Sequence, residues 1–208
     1  MLYPNLKFPK KSDRPFFYTN FVSTVDGKVQ VKKEGYWPIG SRRDYQVLLE
    51  LRSFADCLIH GGNLGREFGG ITVKSLNKPA FKRMRKKLGK DPVLPYYILS
   101  ARTDGLKISK TSIINPQDGI PGLVKFLQDK GYKNVLVEGG PTLLGSFLKE
   151  NLIDEIFLTI APKIYGNEKG STLTLVEGQL FPEHAIKNLR LLSVKKFNSE
   201  LYLRYRVI

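Results

Sequence analysis

Apolar residues follow two patterns along this chain. Short continuous runs, the first over Phe16 to Val25, predict buried strands, and segments with apolar residues every three to four positions predict amphipathic helices. The two patterns alternate, which is typical of an α/β domain. Because no repeat, low-complexity segment or flexible linker interrupts them, we expect one domain over residues 1–208, with residues 1–14 as an N-terminal extension.

The clearest unit runs from Pro121 to Glu150. The pattern predicts a helix over Pro121–Lys130 that stops at Gly131, then a buried strand at Val135–Val137 and a second helix over Thr142–Glu150. Helix, strand and helix in this order are expected where a parallel strand is covered by its neighbouring helices.

An earlier helix is predicted by Ser41-Arg42-Arg43-Asp44, which resembles a capping box with Asp in place of the usual Glu. Its shared face would hold Tyr45, Leu48, Leu49 and Arg52. Asp56 to His60 follows as a compact strand, and we expect a further helix within the basic stretch that comes later.

The end of the chain predicts an antiparallel hairpin. Leu189–Phe197 and Leu201–Ile208 are strand-like and flank a turn at Asn198-Ser199-Glu200. We therefore expect an α/β fold of three layers, α/β/α, whose central sheet is mixed, mostly parallel, and ends in this hairpin.

The charge of the chain changes the functional picture. It has 34 Lys and Arg against 19 Asp and Glu, a net charge of +15, which suits partners that carry phosphate. From Lys74 to Lys90 there are eight basic residues and no acidic one. We interpret this stretch as a solvated helix face, because its composition lacks the interleaved arrangement of basic and aromatic residues that a nucleic-acid stacking platform needs.

Few residues are available for metal or disulfide chemistry. One cysteine, Cys57, and two histidines, His60 and His184, exclude an internal disulfide framework and the common four-ligand Cys and Cys/His zinc sites. We interpret Cys57 as a core residue and His60 as a packed strand-end residue. The apolar runs are too short for a signal peptide or a membrane span, so we expect a cytoplasmic protein with no membrane partner.

Glycine pairs follow two of the predicted strands. Gly61-Gly62 and Gly139-Gly140 would let a ligand approach the backbone closely, and a helix N-terminus there offers N–H groups to a phosphate. The pairs indicate either a nucleotide bound along one sheet edge or tight connections without a ligand. The fingerprints of a plain Rossmann domain and of a P-loop are both missing.

Two acidic residues are candidates for chemistry. Glu138 ends an apolar strand beside a glycine pair, where it would bind a polar substrate group, transfer a proton, or stabilise the N-terminus of the helix that starts at Thr142. Asp26 precedes Gly27 in the turn predicted after the first strand, and it is either catalytic or a simple turn aspartate.

Four ordered segments resemble the riboflavin-biosynthesis reductases, the reductase domain of the bifunctional pyrimidine deaminase/reductase. The segments are Ser23–Lys28, Leu51–Gly61, Val135–Leu143, and Leu152–Glu155 continued by Ile160–Pro162 and Gly166. The similarity covers the chain from about Pro15 onward and implies a dihydrofolate-reductase-like fold.

The resemblance also implies an activity. It is the NADPH-dependent reduction of 5-amino-6-(5-phosphoribosylamino)uracil to its ribitylamino form, with hydride passing from the nicotinamide C4 to ribose C1′. The protein would hold donor and acceptor in contact without a metal or flavin. It further implies a homodimer and a small phosphorylated substrate.

Site residues carry over by position. The resemblance assigns catalytic roles to Glu138 and Asp26. It assigns substrate binding to Arg52, Lys74 and Glu138. The residues expected to bind NADPH are Trp37, Gly61, Gly62, Asn63, Glu67, Ser100, Gly139, Gly140, Pro141, Thr142 and Leu143.

The sequence departs from the family in the segment Gly61–Lys74, which corresponds to a substrate loop and ends in Lys where the family has Arg. Lysine lacks the bidentate fork of arginine, so phosphate recognition is expected to be looser. This leaves open a reductase of the same fold that acts on a pterin or a small carbonyl compound, and, on the basic stretch alone, a nucleic-acid-binding module. The deaminase zinc motif is missing, so the chain is expected to act as a reductase alone.

Overall fold

The structure, a computed structural model, describes residues 1–31, 38–106, 112–115, 119–168 and 170–208. These residues fold as two units, each built from separated stretches of chain. The first unit contains Met1–Phe17 and Val47–Gly140, and the second contains Tyr18–Gln46 and Pro141–Ile208.

Strands and helices alternate as predicted. The strands are β1 (Phe16–Thr24), β2 (Gln30–Val31), β3 (Cys57–Gly61), β4 (Tyr96–Leu99), β5 (Ile113–Ile114), β6 (Asn134–Glu138), β7 (Ile153–Ala161), β8 (Thr172–Leu173), β9 (Leu189–Phe197) and β10 (Glu200–Val207). The helices are α1 (Arg42–Phe54), α2 (Gly62–Leu76), α3 (Pro79–Lys87), α4 (Gly119–Asp129) and α5 (Pro141–Lys149), with a short 3₁₀ helix at Glu183–Ala185. Within the described ranges, no helix has the length and apolar character needed to cross a membrane.

In the first unit, four parallel strands lie in the order β5-β4-β3-β6. Leu58 pairs with Tyr96 on one side and with Leu136 on the other, and His60 pairs with Glu138. The centres of β3 and β6 are fully buried, which explains their continuous apolar runs. Because parallel strands end at one edge, Gly61 and Glu138 lie at the edge where open α/β sheets bind ligands.

In the second unit, β7, β10 and β9 are antiparallel neighbours. Phe197 pairs with Glu200 across a two-residue loop, and Asn198 takes the left-handed conformation (φ 52°) that this tight reversal needs. The predicted α/β class, with parallel and antiparallel strands and a closing hairpin, is confirmed.

The start of α1 is confirmed, but half of its predicted capping box is wrong. Ser41 Oγ accepts hydrogen bonds from the backbone N–H groups of Arg43 (3.0 Å) and Asp44 (3.2 Å). The Ser41 N–H, which Asp44 was expected to bind, instead donates to Glu200 Oε1 at 3.1 Å. Asp is one methylene shorter than the usual Glu, and a carboxylate from β10 takes its place.

The shared face predicted for α1 is only partly the side that packs inward, because Arg52 is 5% exposed but other members are not buried. Tyr45 is 41% exposed, whereas Val47, Leu51 and Phe54 are buried. The helix carries apolar residues on two neighbouring stripes, so periodicity alone did not decide between them. Packing in the folded chain selects the stripe through Val47.

The segment Gly61–Lys74, expected to be a loop, is almost entirely helical, and the basic stretch contains part of α2 and all of α3. Gly65 and Gly69 are buried on one side of α2. A Cβ at Gly65 would fall 2.4 Å from Ile98 Cδ1, so the helix lies too close to β4 for any side chain there. Glycines that signal a loop in the sequence therefore serve close helix–sheet packing.

One residue of the basic stretch is a core residue. Arg85 on α3 is 1% exposed, and its guanidinium donates to the carbonyl oxygens of Ala55 (2.7 Å), Ser53 (3.2 Å) and Asp91 (2.6 Å). Ser53 is in the last turn of α1 and Ala55 directly follows the helix, where helix carbonyl groups lack partners within the helix and a cation is favourable. Arg83, two residues earlier, is exposed as a solvated helix face requires.

We predict that Arg85→Met lowers the free energy of unfolding by about 3 kcal/mol, because it leaves several buried carbonyl groups without a donor. Urea denaturation followed by circular dichroism measures the loss. The matched control is Arg83→Met, which removes an exposed charge from the same helix and should change stability by less than about 0.5 kcal/mol. Equal losses in the two variants would contradict the capping role of Arg85.

Candidate active site

Glu138 is the last residue of β6 and is held by an arginine from the last turn of α1. Arg52 Nε donates to Glu138 Oε1 at 2.8 Å and Arg52 Nη2 donates to Oε2 at 2.5 Å. The exposed fractions of the two residues are 5% and 6%. This bidentate geometry fixes the carboxylate plane as well as its position.

His60 provides a third contact to the same carboxylate. The register of β3 and β6 places His60 beside Glu138, and His60 Nε2 lies 3.1 Å from Glu138 Oε2. On the other side of the ring, Nδ1 lies 2.8 Å from the hydroxyl of Tyr96 on β4. Elements α1, β3, β4 and β6 therefore converge on one buried polar cluster formed by Arg52, His60, Tyr96 and Glu138.

The electrostatics of the cluster keep Glu138 ionised. Burial raises the carboxyl pKa, but the Arg52 guanidinium and the hydrogen bond from His60 outweigh burial and lower the pKa to about 2. Burial lowers the pKa of His60 despite the neighbouring carboxylate, which favours the neutral imidazole. At neutral pH Glu138 is a negative charge that accepts hydrogen bonds, and this arrangement favours binding over proton donation.

The turn after β3 leads directly into the N-terminus of α2. Gly61 caps α2 without a side-chain hydrogen bond, so the first N–H groups of the helix, from Gly62 onward, face the strand edge. Arg66 lies one turn further on, with its guanidinium 3.4 Å from both Asn63 Oδ1 and Ser100 Oγ. A cation beside an uncapped helix N-terminus is a favourable environment for a phosphate group.

Two glycines of the predicted cofactor site differ in what surrounds them. A Cβ at Gly62 would lie 2.6 Å from Ser100 Oγ, so packing within the protein explains this glycine. A Cβ on Gly140 would meet nothing within 4 Å among the described residues. Gly139 and Gly140 directly follow Glu138, so the space at Gly140 is open next to the buried cluster.

In the second unit, Pro141, Thr142 and Leu143 form the first turn of α5.

Asp26, in the turn after β1, has both carboxylate oxygens in hydrogen bonds. Its Oδ1 accepts from Thr24 Oγ1 (2.6 Å) and from a backbone N–H, and its Oδ2 accepts from the Gly166 N–H (2.8 Å). The hydrogen bond from Thr24 is the main cause of its lowered pKa. These contacts favour the turn interpretation of Asp26 over the catalytic one.

The remaining predicted residues are not brought into the cluster. Lys74 lies in the last turn of α2, about 18 Å along the helix axis from Gly62, and its side chain is exposed. Glu67 is exposed on the same helix, and Trp37 lies outside the described residues. In the described part of the chain, no group of three or more His, Cys, Asp or Glu residues is arranged to hold a metal ion.

Sequence reasoning missed Arg66 and Tyr96 and gave His60 no chemical role. A lone arginine in a glycine-rich segment carries no signal until the segment folds as a helix. His60 and Tyr96 are 36 residues apart, and only strand pairing brings them together.

Comparison with known proteins decides the family. The model of the RibD C-terminal domain matches residues 15–203. The chain belongs to this family. Its unmatched start, residues 1–14, coincides with the predicted N-terminal extension.

Relatives of this RibD C-terminal domain protein include a 2,5-diamino-6-ribosylamino-4(3H)-pyrimidinone 5′-phosphate reductase from Archaeoglobus fulgidus. The two are 24% identical over 191 residues, which cover 77% of this chain and 86% of the relative. Some other curated relatives are longer, and the match covers about half, 48%, of the RibD protein of Aquifex aeolicus.

Solved structures confirm the fold. A pyrimidine reductase-like protein from Corynebacterium diphtheriae superposes with a TM-score of 0.70 at 19% identity, covering 93% of this chain and 92% of that chain. Dihydrofolate reductase from Enterococcus faecalis, complexed with NADP(H), superposes with a TM-score of 0.56 at 10% identity, covering 92% and 96%. The dihydrofolate-reductase-like fold predicted from the sequence is therefore confirmed.

We predict that acid destabilises this protein through Glu138. Its pKa is about 2 in the folded state against an ordinary value of 4.5, so the unfolded chain takes up the proton first. The ionised carboxylate contributes about 3 kcal/mol of stability, fully present above pH 4.5 and lost as the pH falls toward 2. Urea denaturation between pH 6 and pH 3 measures this loss.

The matched variant for this prediction is Glu138→Gln, which has no proton to gain at this position. It should be less stable than the parent at pH 6, and the difference should shrink toward pH 3. A difference that stays constant with pH would show that Glu138 does not titrate in this way.

Proposed function

We propose that this chain is an NADPH-dependent reductase of riboflavin biosynthesis that acts on a ribosylaminopyrimidine 5′-phosphate. The predicted class, a pyrimidine phosphate reductase, agrees with the name of the Archaeoglobus relative and with the family match. The observation that carries the proposal is the ionised Glu138, fixed by Arg52 at the carboxyl edge of the parallel strands and followed by an open glycine turn.

Glu138 has the properties of a substrate-orienting and charge-stabilising residue. When bound, NADPH would supply the hydride from its nicotinamide. Opening of the ribosylamine places a positive charge on the C1′–N unit, and a nearby carboxylate stabilises that charge. Oε1 accepts one hydrogen bond from Arg52 and keeps a further lone pair for a donor on the substrate.

The fit of NADPH rests on the donors around α2 and on the open glycine. Phosphate oxygens would be bound by the uncapped N–H groups at Gly62 and by Arg66, with Ser100 beside them. The backbone at Gly140 offers space for close approach of the cofactor. The NADPH roles that the family resemblance assigns to Pro141, Thr142 and Leu143 stay predictions.

The proposed activity leaves two candidate substrates. They are 5-amino-6-(5-phosphoribosylamino)uracil, expected from the sequence, and the 2,5-diamino pyrimidinone named for the Archaeoglobus relative, which keeps an amino group that the uracil has lost. Oxidation of NADPH, followed at 340 nm with each compound, tests the proposal and selects between them. NADPH binding without turnover of either compound would instead favour the alternative, a reductase of a pterin or small carbonyl compound.

We predict that Glu138→Gln lowers kcat about 100-fold and leaves the Kd for NADPH within twofold, because the negative charge acts on the substrate and not on the cofactor. Steady-state kinetics and a fluorescence titration with NADPH and NADH measure the two quantities. Glu150→Gln, an exposed carboxylate, is the control and should behave as the parent. Equal losses of cofactor affinity and turnover would overturn this assignment of Glu138.

We predict that Gly140→Val weakens NADPH binding at least tenfold without changing the free energy of unfolding. The added side chain meets open space in the protein, and it would occupy the path of the cofactor. Unchanged affinity would remove this turn from the cofactor site.

The homodimer implied by the family resemblance and the cytoplasmic location both stay predictions. The exposed apolar side chains of the closing hairpin, among them Val194 (53%) and Phe197 (44%), are the surface at which a dimer should be sought. Sedimentation velocity of the parent and of Val194→Lys measures the oligomeric state.

A further inference from the structure

Behind Glu138 lies a chain of buried polar side chains that the proposed reaction does not use. His60 is 1% exposed, and Tyr96 is 7% exposed. The Tyr96 hydroxyl is 2.8 Å from His60 Nδ1, and His60 Nε2 is 3.1 Å from Glu138 Oε2. The two rings are also in edge contact, with centroids 4.9 Å apart at 79°. Both nitrogens of the imidazole are thus engaged, one on each side.

The partners determine which nitrogen carries the proton. An ionised carboxylate only accepts hydrogen bonds, so the contact with Glu138 requires a proton on Nε2. A neutral imidazole then has a lone pair on Nδ1, and the Tyr96 hydroxyl donates to it. A second proton on His60 would displace this donor and add a charge to a buried site where Arg52 and Glu138 already balance each other.

We propose that His60 and Tyr96 are positioning residues for Glu138. Tyr96 holds His60 neutral as the Nε2–H tautomer, and His60 holds Glu138 Oε2 so that Oε1 is directed to the substrate. The role toward the substrate rests on the proposed function, whereas the tautomer does not depend on it. The charged and titratable groups that face His60 in this cluster are Arg52 from α1, Glu138 from β6 and Tyr96 from β4.

The tautomer is tested directly by nuclear magnetic resonance of the full chain labelled with ¹⁵N in its histidine rings. The chain has only two histidines, and His184→Asn identifies the signals of the other. We expect His60 to give the pattern of a neutral Nε2–H imidazole, unchanged from pH 8 to pH 6.5, where an ordinary histidine is already half protonated. An Nδ1–H pattern, or protonation of His60 within this range, would overturn the proposal.

The positioning role is tested with Tyr96→Phe and a matched variant on the same strand. Tyr97→Phe removes the neighbouring hydroxyl, which bonds Tyr132 instead. In Tyr96→Phe the Nδ1 lone pair loses its donor, so we expect His60 to take up a second proton at a higher pH than in the parent and kcat to fall about tenfold, with the Kd for NADPH unchanged. Tyr97→Phe should leave the protonation of His60 and kcat as in the parent.

Variants at His60 separate positioning from packing. His60→Gln keeps an N–H donor for Glu138 and should retain much more activity than His60→Leu, which keeps only the bulk. Equal kcat values in these two variants, at equal stability, would overturn the role of the hydrogen bond. If a parent chain with the expected tautomer reduces neither pyrimidine, the proposed function fails while the tautomer assignment stands. The opposite result, activity with the wrong tautomer, overturns the positioning role alone.

Discussion

The ion pair between Arg52 and Glu138 is the interaction on which the first unit is organised. Removing both charges from water is costly, and the cost is offset only if the geometry is fixed and the remaining lone pairs are used. The bidentate contact fixes the geometry, and the hydrogen bond from His60 uses a further lone pair of Oε2. An arginine on a helix and a glutamate on a strand thereby tie α1 to the parallel strands at their carboxyl edge.

The surrounding structure holds the two partners of this pair in place. Arg85 binds the carbonyl groups at the end of α1, only one to three residues from Arg52. Pairing of β3 with β6 sets His60 beside Glu138, and β4 brings Tyr96 to His60. The site is therefore supported by a core arginine and by strand register. Both supports fix the position of the Glu138 carboxylate through several hydrogen bonds from different elements.

Much of this arrangement was predictable from the sequence. Apolar runs predicted the strands, glycine pairs and Glu138 pointed to the carboxyl edge as a candidate site, and four ordered motifs led to the family. Two local expectations changed in the folded chain. The family resemblance implied a loop over Gly61–Lys74, which is instead mostly helical and packs Gly65 against Ile98. The shared face of α1 was expected to include Tyr45, but core packing buries Val47, Leu51 and Phe54 and leaves Tyr45 exposed.

The sequence by itself determined the order of elements, the α/β class and the residue types at the carboxyl edge, because these follow from local periodicity and from short motifs. Only the tertiary structure decided what those residues do. Glu138 is a fixed anion because Arg52, 86 positions away, reaches it, and Arg85 is a core residue although its neighbours are solvated. Burial and long-range pairing set charge states and hydrogen-bond partners. The local pattern of the chain determines neither the burial nor the pairing.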